Sequence, residues 1–349
     1  MKKIAKSIFV FMGVCFMLWG ANTAQAEIAA NQTGSVGYTS QKEEPVITSE
    51  NGVQYTYKFR DSKKTSINIT KIETPNKKLV IPAKLDGYSV YKIDAPIFKS
   101  TKTLKTVIIK NGVKEIGVAA FANQKQLESV YIPKSVKKIC HSAFGDDIKL
   151  KEIVFRNPSI KIEYDAFACC RNLQKISFPQ GEFTGEIEEY AFILCDLRSI
   201  KLPYMKNMRK QIGYFAFSRN KKLKRVTFSS RYKNISLGDG WFADCPKVQI
   251  IVGKQVKTFS SKVIANAGTV RLLGSQTRLT GFKKPKERSY YYIQFKKFIV
   301  PRNSKALKVL RNAEYGAVNK EYSERYSVKT NYYFSTSEAD MHKVKIVRK

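Results

Sequence analysis

Histidine is almost missing from this chain: His141 and His342 are the only two in 349 residues. Neither stands at metal-ligand spacing from another His or Cys, so a histidine-built zinc site has no support in the sequence. The cysteines form no C-x-x-C pair. Cys169 and Cys170 are adjacent, which excludes the zinc-ribbon and thioredoxin spacings. Cys140 and His141 are neighbours on an extended segment and point apart, which argues against a nucleophile pair. The glycine turn Gly238 to Phe242 has no lysine to complete a phosphate loop. Acid is scarce too, with 28 Asp and Glu against 63 Lys and Arg. The acidic run Glu186, Glu188 and Glu189 reads as solvated loop charge. These absences assign no catalytic, cofactor-binding or metal-ligating residue and no cofactor, and the chain reads as a non-enzyme.

A long apolar run is missing everywhere after the first residues. At the start, Lys2, Lys3 and Lys6 precede an apolar stretch from Ile8 to Trp19, and Ala24-Gln25-Ala26 follows. This is the build of a secretory signal peptide over residues 1–26, and it implies an extracellular destination. A retained N-terminal anchor is the alternative reading. Without Cys15 of that segment, five cysteines remain: Cys140, Cys169, Cys170, Cys195 and Cys245. An odd number leaves at least one unbridged, and the expectation is buried thiols.

What the chain does have is a period. Phe98, Phe121, Phe144 and Phe167 follow one another at 23 residues, then Phe192, Phe217 and Phe242 at 25. Alanine precedes five of the seven, and Leu104, Leu127, Leu150, Leu173, Leu197 and Leu223 keep step, with Val248 in the last unit. Self-similarity at 20 to 29 residues is the mark of a leucine-rich solenoid. Within one unit, Leu127, Val130 and Ile132 face one way and Ser129 and Tyr131 the other, the alternation of a half-buried strand. Pro133 ends that strand because it lacks a ladder donor. Val136 and Ile139 form a second apolar pair on the return, and Phe144 closes the coil. The longer units place their two extra residues in the return segment.

The expected fold is an α/β-type repeat solenoid of mainly short parallel strands, a right-handed coil with β-rich caps at both ends. Residues 27–50 are polar and read as a flexible lead. Residues 51–97 form an N-terminal β cap and first partial repeat, and 98–253 the repeats. Residues 254–349 form a basic C-terminal cap or module. That last part holds 22 Lys and Arg against 6 Asp and Glu, while residues 27–253 hold 38 against 22.

The units AFACCRNLQKISFP and AFANQKQLESVYIPKSVKKI resemble the BspA-like leucine-rich repeat, over about residues 79–252. The opening KLVIPAKLDGYSVYKID and the segment FIVPRNSKALKVLRNA are similar to the start and close of such arrays. The resemblance implies a secreted or cell-surface bacterial protein used in adhesion or host contact, with surface proteins among its partners. It carries over no catalytic residue. No wall-sorting signal is visible in this sequence.

The outward strand positions are the candidate binding residues: Tyr131, Lys175, Arg198, Lys201, Lys224 and Arg225. Adjacent strands lie about 4.8 Å apart, so these form one surface. With net charge +35, it points to polyanions: wall polymers, anionic glycans, anionic membranes or extracellular nucleic acid. A solvated face whose lysines discourage edge aggregation is the bland alternative. Tyr290, Tyr291 and Tyr292 beside Lys296 and Lys297 echo single-strand nucleic-acid binders. Alternation along a strand splits those rings between two faces, which disfavours a nucleic-acid partner.

Overall fold

The computed structural model describes residues 44–94, 97, 103–261, 267–280, 295–301, 304–306 and 345–348. The signal segment, Phe98, Tyr290 to Tyr292 and His342 lie outside the described residues, as do the side chains of Lys296, Lys297 and Lys308. Residues from Glu44 onward form one compact unit.

The unit is a coil of parallel strands with almost no helix. One sheet has 11 strands. It begins with Lys78–Ile81, Thr106–Ile109, Ser129–Tyr131, Glu152–Val154 and Lys175–Ser177. It continues through Ser199–Leu202, Arg225–Phe228 and Gln249–Val252. A second ribbon runs beside it through Tyr88–Ile93, Glu115–Ile116, Lys138–Ile139, Lys161–Ile162 and Glu186–Ile187. The return segments are thus β pairs and turns. A four-residue helix, Met208–Gln211, sits in a 25-residue unit and is capped by Asn207, whose side chain accepts from the Lys210 amide.

The repeat pattern places each residue type where its chemistry fits. Leu127, Val130 and Ile132 are buried while Tyr131 is exposed. Phe121, Phe144, Phe167, Phe192, Phe217 and Phe242 are fully buried, and each ring lies almost parallel to the next. Centroids are 5.1, 5.0, 5.1, 5.6 and 5.8 Å apart along the column. The spacing is unchanged across the first 25-residue unit and widens over the next two, yet the strand register holds. Lys175 still faces Ser199, and Ser199 faces Arg225.

Two residues before each phenylalanine the backbone is left-handed: Ala119, Ser142, Asp165, Tyr190, Phe215 and Gly240 all have positive φ. Two residues after it the same holds for Asn123, Asp146, Cys169, Leu194, Arg219 and Asp244. The chain turns sharply on both sides of the ring, in a region that L residues enter at a cost of about 1 kcal/mol or more.

Two boundaries differ from the sequence reading. Val46–Glu50, assigned to a flexible lead, is a strand paired antiparallel with Val53–Phe59. The turn between them is Asn51-Gly52, with φ of 52° and 72°, the geometry of a two-residue hairpin. At the other end the array does not stop near Val252. Ala267–Leu272, Phe295–Val300 and Lys345–Arg348 add to the same long sheet in parallel. The second ribbon restarts as Asn234–Leu237, Thr258–Ser261 and Arg278–Thr280. Buried Val270, Leu272, Phe298 and Val300 keep filling the core after the phenylalanine column has ended.

Candidate functional site

Parallel register arranges the outer face of the long sheet in rows that cross the strands. One row runs through Thr106, Ser129, Glu152, Lys175, Ser199 and Arg225. Two residues further along each strand lies a second row: Val80, Ile108, Tyr131, Val154, Ser177, Lys201 and Thr227. A third row precedes the strands. There the amides of Glu128, Lys151, Gln174, Arg198 and Lys224 each donate to the carbonyl of the row residue one rung back, at 2.8 to 3.1 Å. Tyr131, Lys175, Arg198, Lys201, Lys224 and Arg225 therefore share one face.

The face has two electrostatic halves. In the first, Glu128 sits between Lys105 at 3.7 Å and Lys151 at 2.6 Å. Its hydrogen bond from Lys151 holds its carboxyl below the ordinary value. Lys175, which the sequence suggested as a free cation, bonds Glu152 at 2.6 Å. Register is the cause, since Glu152 lies directly across from it on the preceding strand. In the second half, no carboxylate among the described residues lies within ion-pair distance of Arg198, Lys201, Lys224 or Arg225. All four are exposed. Tyr131 is 44% exposed and carries the Arg156 guanidinium 4.3 Å above its ring centroid, a cation–π contact.

The second ribbon is different. Lys92 meets Glu115 at 3.2 Å, Lys138 meets Glu163 at 3.0 Å, and Lys161 meets Glu188 at 2.8 Å. The hydrogen bonds that Lys138 and Lys161 donate to Glu163 and Glu188 raise the pKa of both lysines above the ordinary value. Glu186 and Glu188, read from sequence as solvated loop charge, are members of this ladder: Glu186 lies 3.8 Å from Lys161, and Glu188 also accepts from the Tyr164 amide. Charges on these ribbon strands are neutralised within the protein.

The nucleophile candidates occupy structural roles. The Cys140 thiol donates to Glu115 at 3.3 Å. Burial, with that carboxylate beside it, pushes its pKa up to about 12, so it is a thiol and not a thiolate at neutral pH. His141 Nδ1 bonds the Tyr164 carbonyl at 3.0 Å. Cys169, Cys170, Cys195 and Cys245 are buried and unbridged. Cys170, Cys195 and Cys245 donate to the carbonyls of Phe144, Phe167 and Phe217. These donors were read from sequence only as small buried groups.

No helix among the described residues is long and apolar enough to cross a membrane. No curated protein gives a significant match. Among solved structures the chain is similar to a leucine-rich repeat protein of Bacteroides ovatus at 22% identity and TM-score 0.42, covering 72% of this chain and 58% of that one. It is also similar to the T. pallidum leucine rich repeat protein, at 23% identity and TM-score 0.41, covering 62% and 82%. A leucine rich cell surface protein of Faecalibacterium prausnitzii gives 18% identity and TM-score 0.40 over 76% and 91%. The chain thus spans under two thirds of the Bacteroides protein's length. The BspA type leucine rich repeat region matches in six copies, across residues 77–185, 137–271 and 185–309. With the phenylalanine column and the parallel rungs over the same residues, the chain belongs to the BspA-type leucine-rich-repeat family.

Proposed function

We propose that this chain is a secreted or surface-associated, non-enzymatic binding protein that offers the outer face of its long sheet to a negatively charged macromolecule. One observation carries the reading: Arg198, Lys201, Lys224 and Arg225 stand on or just before two adjacent strands, and no carboxylate among the described residues lies within ion-pair distance of them. Clustered, unneutralised cations raise the local concentration of anionic partners and speed encounter. The ion-paired second ribbon offers no such excess on its strands. The family is consistent with this role.

The test compares charge reversals on the two faces. Lys201→Glu with Arg225→Glu should weaken retention on immobilised heparin and poly-glutamate at least tenfold. Lys138→Glu with Lys161→Glu serves as the control pair on the other ribbon. Equal effects from both pairs would mean that net charge alone sets binding, as for a scaffold held on wall polymer. In that case moderate salt should release the parent protein completely.

A further inference from the structure

The paired half of the long sheet has a feature that attraction for anions does not use. Its second row is apolar over four adjacent strands: Val80, Ile108, Tyr131 and Val154. Val80 is 38% exposed and Tyr131 44%, both high for large apolar side chains. Ile108 and Val154 are half-buried. At its N-terminal end the row opens into a groove of about 450 Å³, lined by Val53, Tyr55, Val80 and Pro82 together with polar and charged residues that include Glu50, Lys78 and Lys110. The Tyr55 hydroxyl donates to the Val80 carbonyl at 3.1 Å, which holds this wall in place.

We infer, on the reading of the sheet as a binding face, that the partner is a polypeptide segment with apolar side chains at one end and acidic side chains at the other. It crosses the strands with its apolar end over Tyr131, Ile108 and the Val80 groove. Its acidic end lies on Arg198, Lys201, Lys224 and Arg225.

Three observations favour a polypeptide over a uniformly charged polymer. A sulfated glycan or nucleic acid carries charge along its whole length, and in the first half it would meet the carboxylates of Glu128 and Glu152. Those carboxylates offset two of the three lysines beside them, Lys105, Lys151 and Lys175, so this half attracts anions less than the unpaired half and has exposed apolar surface beside it. Tyrosine and arginine, the residues enriched at protein–protein hot spots, also occur on the face, Tyr131 and Arg156 in its first half and Arg198 and Arg225 in its second. The length fits too. Six strand-to-strand steps from Lys78–Ile81 to Arg225–Phe228 span about 29 Å, the reach of an extended chain of about nine residues.

The experiment measures binding of four probes to the full chain by calorimetry. They are a peptide with a Leu/Phe half followed by a Glu half, an all-Glu peptide of the same charge, an apolar-half peptide alone, and heparin. The two-part peptide should bind at least tenfold more tightly than the all-Glu peptide. Tyr131→Ala with Ile108→Ser should remove that advantage and leave all-Glu binding unchanged. Arg198→Glu with Arg225→Glu should weaken both acidic peptides. If the all-Glu peptide or heparin binds as tightly as the two-part peptide, or if Tyr131→Ala with Ile108→Ser has no effect, the partner is a plain polyanion. The inference then falls, while the cationic face stands. If Arg198→Glu with Arg225→Glu changes no probe, the functional reading of the sheet falls as well. All four positions are on the sheet surface, and unchanged thermal unfolding confirms that the variants fold.

Discussion

Asn220 donates its side-chain amide to the carbonyl of Phe192, one rung back, at 2.9 Å. Its carbonyl oxygen accepts the Leu197 amide at 3.2 Å. In four units the position three residues after the repeat phenylalanine is thus a donor to the preceding rung, filled in the other three by the thiols of Cys170, Cys195 and Cys245. Asp147 occupies the same position one rung before Cys170. It is fully buried, and its Oδ1 accepts the Gln124 amide at 2.7 Å as Asn220 would. Its Oδ2 has no partner.

The first prediction follows from that mismatch. Burial pushes the Asp147 pKa well above the carboxylate range; the Gln124 amide and Lys125 oppose the shift, and Asp146 adds to it. The folded chain then keeps a proton that the unfolded chain releases. Stability therefore falls as pH rises from the unfolded carboxylate value through the raised one. Asp147→Asn supplies a permanent donor of the Asn220 kind. Urea unfolding at about pH 4 and about pH 7 should show a gain of about 1–3 kcal/mol at the higher pH and a flatter slope between them. An unchanged slope would show that Asp147 does not keep the proton.

The second prediction concerns the phenylalanine column. Phe167 is stacked between Phe144 and Phe192 and touches Phe155 edge-on. Phe167→Ala opens a cavity that the flanking rungs cannot close, because their spacing is set by backbone pairing at Phe144 and Ala191. The cost should be about 3–5 kcal/mol, read as a lower midpoint in thermal or urea unfolding. A midpoint equal to the parent's would mean that the ring is not a core element.

The period was legible because phenylalanine marks it. Leu127, Val130 and Ile132 then fix which way each strand faces. Partnership was harder to read, since it depends on register. Lys175 meets Glu152 across two strands 23 residues apart, and Lys161 meets Glu186 and Glu188 across a 25-residue unit. The Lys161 contacts follow only once the two extra residues are assigned to the return and not to the strand. The end of the array was misplaced because the marker stops at Phe242 while the strand pattern continues at Val270, Leu272, Phe298 and Val300. The first strand had a readable signal in Asn51-Gly52, a strong hairpin dipeptide. The adjacent polar lead obscured it.

The third prediction uses Trp241, which stands where earlier units have alanine. The indole is fully buried and its Nε1 has no hydrogen-bond partner. A Cβ on Gly238 would fall 2.4 Å from the indole Nε1, so that glycine makes the room. In a chain lacking residues 1–26, Trp241 is the single tryptophan. Its emission should be shifted to the blue and shielded from iodide, and Gly238→Ala should move it toward the red. Emission like that of tryptophan in water would place the indole outside the core.

The last prediction separates two explanations for Gly240. Its φ is +70°, but Ala119, Ser142, Asp165, Tyr190 and Phe215 bear left-handed backbone at the same place in earlier units. Conformation alone therefore does not require glycine here. The neighbour does: a Cβ on Gly240 would lie 2.4 Å from the ring of Phe215, which is itself stacked on Tyr190 at 5.6 Å. Gly240→Ala should cost about 1–3 kcal/mol through overpacking, beyond the smaller cost of a positive φ. In a Phe215→Ser background, which restores the residue found at Ser142, most of that cost should vanish. Four unfolding curves complete the double-mutant cycle, and a coupling of about 1 kcal/mol or more assigns the glycine to the ring. Strict additivity would instead assign it to the backbone.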